Sequence, residues 1–363
     1  MSPGRLALLG LLAVAATPFL AEGLVRFRAH AKYGRYLDIY EVHERLPDTN
    51  LLVPLPNLDV SFGETRVQTD ERGFRSPPVA MPKPPGTLRL AFLGASDTFC
   101  AQVRDNERTW PALVQRELAT RFPEITVEHV NAGVTSHRVA DSLAMLEQRV
   151  AVVAPDVVVV YAASADLAVD TRALAEAAGL VEPVREPGWL EHSSLLWRLV
   201  RKNRDFLENQ RAGRSTDAKL QCDMDALASA FEERVVALAE RAHEVSDVVA
   251  LVTFATKFAR TQPLEEQLAN MEQSFTFMSY LAPDALCSGF EAYNRAIARA
   301  AARTGALLID DCSSIQGHAE YFADSVHFSE LGCEAMAHRV AQGLAASESF
   351  QALVVKKGAS AER

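Results

Sequence analysis

Residues Val157-Val158-Val159-Val160-Tyr161 form an unbroken apolar run only five residues long. A run this short, rich in β-branched side chains, reads as a strand covered on both faces, and such strands occur in parallel sheets flanked by helices. The rest of the chain supplies the matching pieces. Residues 88–93, 125–130, 248–254 and 306–309 read as further strands. Residues 107–122, 139–150, 290–302 and 330–344 read as helices, and Met224, Leu227, Phe231, Val235 and Leu238 recur at helical spacing. Strands alternating with helices predict a three-layer α/β/α domain built on a five-stranded parallel sheet.

The domain does not begin at the N-terminus. Leu6 to Leu20 is almost wholly apolar, with Arg5 before it, and the apolar character resumes after Glu22. Residues 1–25 therefore read as a signal peptide or, in preference, an uncleaved signal-anchor or transmembrane helix. Arg26, Arg28, Lys32 and Arg35 follow it, and the positive-inside rule alone would put them in the cytoplasm. Residues 26–85 read as an irregular, Pro-rich segment with a strand-like piece at 67–69, ending in the linker Met81-Pro82-Lys83-Pro84-Pro85-Gly86. Residues 86–347 form the domain and 348–363 a C-terminal tail. The connection between the third and fourth strands far exceeds the dozen or so residues a crossover needs, which marks an insertion at about 167–222. It carries Leu195, Leu196, Trp197, Leu199 and Val200 beside Arg198, Arg201, Lys202 and Arg204. A basic amphipathic helix of this kind either lies on a membrane or packs on the domain with its charges in water.

Composition removes several functions. The formal net charge is -10, with no basic cluster of the size nucleic acid demands. Neither a G-x-x-x-x-G-K-[ST] loop nor a G-x-G-x-x-G turn occurs, so no nucleotide cofactor is expected. The five cysteines, Cys100, Cys222, Cys287, Cys312 and Cys333, match no zinc spacing and read as small buried hydrophobes. No metal or other cofactor is called for.

Ligands of open parallel sheets bind at the carboxyl ends of the strands. Gly94-Ala95-Ser96-Asp97-Thr98 follows the first predicted strand, Asn131-Ala132-Gly133 the second, and Ala163-Ser164-Ala165-Asp166 the third; Asp324-Ser325-Val326-His327 lies beyond the fifth. A serine, a backbone-exposing glycine and an Asp/His pair on one sheet edge are what nucleophilic acyl transfer requires. In this order the blocks resemble those of the SGNH/GDSL hydrolases over roughly residues 86–345, and Asp70-Glu71-Arg72-Gly73-Phe74-Arg75 resembles a segment preceding the domain in anchored bacterial members. The resemblance implies a flavodoxin-like fold, Ser96 as nucleophile, His327 as general base, Asp324 as its orienting carboxylate and the Gly133 amide as an oxyanion donor. It also implies an extracytoplasmic domain and acylated carbohydrate or lipid-type esters as substrates.

The third block departs from the family. Its usual asparagine, a donor to the oxyanion, is Ala165 here, and loss of one such donor costs about 10²–10³ in rate. Ser164 is the nearest substitute. Two readings follow: a serine-dependent acyl-ester hydrolase or acyltransferase, or a catalytically impaired relative that binds glycans or assists polysaccharide assembly.

Overall fold

The computed structural model describes residues 3–33, 42–62, 64–183, 188–215, 218–310 and 312–361. Helix α1 (Pro3–Tyr33) is followed by two antiparallel ribbons, β1 (His43–Arg45) with β2 (Leu52–Pro54) and β3 (Asp59–Phe62) with β4 (Thr65–Gln68). The domain then runs β5 (Thr87–Gly94), α2 (Ser96–Phe99), α3 (Trp110–Arg121), β6 (Thr126–Asn131), α4 (Val139–Met145), β7 (Val157–Tyr161), α5 (Ser164–Ala177), α6 (Trp189–Ser193), α7 (Leu195–Arg214), α8 (Met224–Val245) and β8 (Val248–Val252). It closes with α9 (Leu264–Asn270), α10 (Glu272–Met278), α11 (Pro283–Thr304), β9 (Leu307–Ile309), α12 (Glu330–Ala346) and α13 (Glu348–Ala361).

The main sheet has the order β6-β5-β7-β8-β9, and all four pairings are parallel. Helices α3 and α12 pack together on one face, and α4, α8 and α11 form the other layer. β5, β7 and β8 are buried at every position, as unbroken apolar runs require when both faces are covered. Aromatic side chains fill the layer beneath the carboxyl ends: Trp110 meets Phe92 edge-on at 5.0 Å, and Tyr161 stacks on Phe254 at 4.7 Å.

The expected strands are all present, with ends moved by one or two residues. Two segments differ from the sequence reading. Residues 26–85 hold the two ribbons as well as the end of α1, so they are more regular than their prolines suggested. Residues 348–361 are not a tail but the helix α13, because Phe350, Leu353 and Val354 lie on one face and are buried against the domain. The insertion is helical: α7 begins where Ser194 Oγ accepts the amide of Trp197, a side-chain cap.

One buried carboxylate ties both flanks of the domain to the sheet. Asp156 is 4% exposed. It accepts the backbone N–H of Arg89 at 2.8 Å and pairs with Lys83 from the linker and Lys357 from α13, each at 2.6 Å. Breaking a buried ion pair by removing one partner costs about 3–5 kcal/mol, because the remaining charges stay desolvated. Asp156→Ala is therefore expected to lower the unfolding free energy by about 3 kcal/mol in urea denaturation of the detergent-solubilised chain. Exposed Asp48→Ala should leave it within about 0.5 kcal/mol.

Candidate active site

The chain reverses its progress across the sheet between β5 and β7: β6 lies on one side of β5 and every later strand on the other. The carboxyl ends at such a switch point leave a crevice. β5 ends at Gly94, opposite Tyr161 in register. A Cβ at Gly94 would lie 2.3 Å from both Thr98 Oγ1 and the Tyr161 carbonyl oxygen, so only glycine lets the strand pass there. The chain turns at Ala95 and enters the single turn of α2. Ser96 is its first residue, and Cys100, with φ 59°, ends it in the left-handed region.

Ser96 Oγ lies 2.7 Å from His327 Nε2. His327 Nδ1 lies 2.7 Å from Asp324 Oδ2. The other carboxylate oxygen of Asp324 accepts the backbone N–H groups of Val326 at 3.0 Å and His327 at 2.9 Å. Within this turn Ser325 is anchored elsewhere: its Oγ accepts the amides of Gln273 and Ser274 at the start of α10. The turn therefore holds Asp324 and His327 toward Ser96 and fastens itself to a helix through the residue between them.

Burial alone would raise the Asp324 pKa, but hydrogen bonds from the His327 ring and two amides, with the imidazole's charge, bring it below the ordinary carboxylate value. Burial alone would depress His327; the hydrogen bond and charge of Asp324, with the charge of Asp97, override it and raise the imidazole pKa above 6.5. A hydroxyl, imidazole and carboxylate linked in this way can transfer the hydroxyl proton to the ring and hold the imidazolium that results.

The other expected residues surround this line of three. Gly133 packs directly on α2: a Cβ there would lie 2.5 Å from the Phe99 amide nitrogen. Its N–H donates to Asn131 Oδ1 at 3.1 Å, and Asn131 Nδ2 donates to the Thr98 carbonyl at 2.9 Å. The amide expected to stand free for an oxyanion thus carries an internal hydrogen bond. Ser164 and Ala165 open α5, both partly exposed. Asp166 does not cap its own helix: Oδ2 accepts the Val139 N–H at the start of α4, and Oδ1 meets Arg234 Nε at 3.2 Å. Burial raises its pKa to about 6.

Two residues carry weight that sequence reasoning did not assign. Arg75 is fully buried. Its guanidinium donates to the carbonyls of Phe99 (2.8 Å), Cys100 (2.7 Å) and Arg66 (3.2 Å) and to Asn106 Oδ1 (3.0 Å), so it grips the end of α2. Burial pulls its pKa down to about 10. The 70–75 motif was visible in the sequence, but main-chain carbonyl partners leave no sequence signal. Asp97 is 2% exposed, and burial raises its carboxyl to about 6 against the opposing pull of His327. Its position directly after Ser96 was the one available clue.

The GDSL-like lipase/acylhydrolase family matches residues 92–335. No curated protein matches this chain. Among solved structures, LAE5, an α/β hydrolase enzyme from the metagenome of Lake Arreo, Spain, is 18% identical with a TM-score of 0.43, covering 70% of this chain and 94% of its own. The acetylxylan esterase Axe2 of Geobacillus stearothermophilus is 16% identical with a TM-score of 0.42, covering 72% and 95%. A lipase/acylhydrolase of Enterococcus faecalis is 17% identical with a TM-score of 0.42, covering 71% and 95%. With more than half of its length matched, and with the serine, histidine and aspartate blocks meeting on one sheet edge, this chain belongs to the GDSL-like lipase/acylhydrolase family.

Proposed function

We propose that the protein is a serine-dependent acyl-ester hydrolase or acyltransferase, held to a membrane by α1 and acting on acylated carbohydrate or lipid-type esters outside the cytoplasm. The observation that carries this reading is the contact of Ser96 Oγ with His327 Nε2 at 2.7 Å, backed by Asp324 at 2.7 Å. His327 takes the Ser96 proton as Oγ attacks the acyl carbonyl, and Asp324 holds the ring in the tautomer that leaves Nε2 free to accept. The tetrahedral intermediate collapses with His327 returning the proton to the leaving alcohol. Water or a sugar hydroxyl then resolves the acyl-enzyme by the same steps in reverse. The amides of Ser96 and Gly133 receive the oxyanion, Gly133 by exchanging its bond to Asn131 Oδ1. α1 supports the anchor: its most apolar 18-residue window has mean hydropathy 1.9, and none of that window is buried in the domain. The outward placement and the substrate classes rest on the family resemblance.

Ala165 favours a second reading, a catalytically impaired member that binds glycans or assists polysaccharide assembly, because a methyl group stands where the family places an oxyanion donor. Esterase assays separate the two. The detergent-solubilised chain is expected to hydrolyse p-nitrophenyl acetate and to lose at least about 10³ of kcat in Ser96→Ala; equal rates for the two proteins would sink the enzyme reading. Ala165→Asn is expected to raise kcat about 10- to 100-fold; an Asn variant that alone turns over would favour the impaired reading.

The pH profile follows from the His327 environment. The base must be neutral, and its pKa is raised above 6.5 by Asp324 and Asp97. The acid limb of kcat/KM is therefore expected above pH 6.5, with activity lost as pH falls through it. Asp324→Asn removes the larger raising influence and leaves burial opposed only by the charge of Asp97. The limb should move to lower pH while kcat falls about 10⁴-fold. A limb that stays in place would exclude His327 as the titrating base.

A further inference from the structure

The insertion helix α7 presents to solvent the kind of face that helices normally bury. Its inner side is docked on α10: Asn209 Nδ2 donates to the Thr276 carbonyl at 3.2 Å, Asn209 Oδ1 accepts from Ser279 Oγ at 2.9 Å, and Gly213 lies against the Phe275 ring. At 100° per residue, Trp197, Val200 and Leu207 fall on the opposite side. They are 45%, 52% and 55% exposed. In the neighbouring turn of α6, Trp189 is 77% exposed. An outward apolar stripe of this length on a polar chain calls for a covering.

Two observations identify the covering. The first is charge. α7 carries six basic residues (Arg198, Arg201, Lys202, Arg204, Arg211, Arg214) against two acidic ones (Asp205, Glu208), a net of +4 in a chain whose total is -10. On the helical wheel Arg204 and Arg211 lie within the stripe, where long basic side chains reach anionic head groups while their stems lie along apolar surface. The second is continuity with α1. Glu22 caps α7, accepting the amides of Leu195 (2.9 Å) and Leu196 (2.8 Å) and the Ser194 hydroxyl (2.8 Å), and Arg26 donates to the Ser193 carbonyl at 2.7 Å. Glu22 and Arg26 are the first charged residues after the apolar run that starts at Leu6. If that run spans a bilayer, α7 starts at its surface.

We infer that α6 and α7 form an interfacial platform, whose outward apolar stripe lies in the head-group region of an anionic bilayer. The inference rests on the anchor reading of α1 for its placement, while the stripe and its charge are independent of that reading. It has a consequence for the active site. α7 packs on α10, and α10 is held by Ser325 between Asp324 and His327. The platform thus sets the height of the catalytic turn above the membrane and favours esters presented at the bilayer surface.

Tryptophan quenching tests it. Of the three tryptophans, Trp110 is fully buried in the core, so Trp189 and Trp197 report on the platform. The full chain is reconstituted into phosphatidylcholine vesicles containing phosphatidylglycerol, with or without bromine in the upper acyl chain. Brominated lipid is expected to quench about half of the emission, and Trp189→Phe/Trp197→Phe to abolish the quenching. Val200→Glu/Leu207→Glu, at exposed positions, should reduce quenching at least about threefold while leaving p-nitrophenyl acetate turnover unchanged. Alkaline flotation of the same vesicles reports the α1 anchor separately. Protein that floats without quenching overturns the platform and leaves the anchor intact. Protein that is quenched but released at alkaline pH supports the platform and removes the anchor. Absent quenching with a cross-linked dimer through Val200→Cys would assign the stripe to a second copy and overturn the inference.

Discussion

The sheet edge that carries Ser96 depends on a buried cation that has no carboxylate among its hydrogen-bond partners in the described residues. Arg75 brings a full positive charge into the interior, a step that costs several kcal/mol unless hydrogen bonds replace the lost water. The replacements are main-chain carbonyls at the end of α2 and on β4, with one side-chain amide oxygen. The guanidinium holds the carbonyls of Phe99 and Cys100, where α2 ends with Cys100 in the left-handed region. The Arg75 amide also donates to the Asn131 carbonyl at 3.1 Å, so the same residue extends the edge of β6. Segments outside the α/β domain therefore complete the crevice that the sheet begins.

The electrostatics of the site pull against one another in a useful way. Three acids surround one base: Asp324 bonded to it, Asp97 buried near it and Asp166 farther along the edge. Only Asp324 is pulled toward its charged form, because only it receives the imidazole hydrogen bond in addition to backbone amides. Asp97 and Asp166 are pushed up to about 6 by burial. Under the proposed mechanism, a base whose partner is firmly ionised is stronger than free imidazole, which would aid proton removal from Ser96 and make the return of that proton harder. Such a site would serve the attack better than the oxyanion, since Ala165 offers no side-chain donor and the Gly133 amide is shared.

Much of this was legible in the sequence, and the reason is burial. A strand covered on both faces has no freedom in its composition, so the run 157–161 declares itself, and the alternation around it gives the layers. Ser96, Gly133 and the Asp324–His327 turn were visible because each follows a strand end in a fixed order. Elements held by main-chain partners were not. Arg75 binds carbonyls, Asp166 binds an amide on another helix, and the ribbons before the domain are short pairings among prolines. α13 was read as a tail because Phe350, Leu353 and Val354 make only one narrow stripe in an otherwise polar segment. In α7 the basic and apolar residues were plain, but its orientation was not: Leu195, Asn209 and Gly213 share the docked side, while Trp197, Val200 and Leu207 are left in solvent.

That orientation links the insertion to the chemistry. A helix docked through Asn209 and Gly213 sits close to its neighbour and leaves Trp197, Val200 and Leu207 outside. The neighbour is α10, whose first amides are taken by Ser325, so the rigid path from the outward stripe to His327 crosses a single helix. A soluble esterase gains nothing from such a path. If the proposed anchor and platform hold, the path would let the surface that carries the substrate also set the orientation of His327.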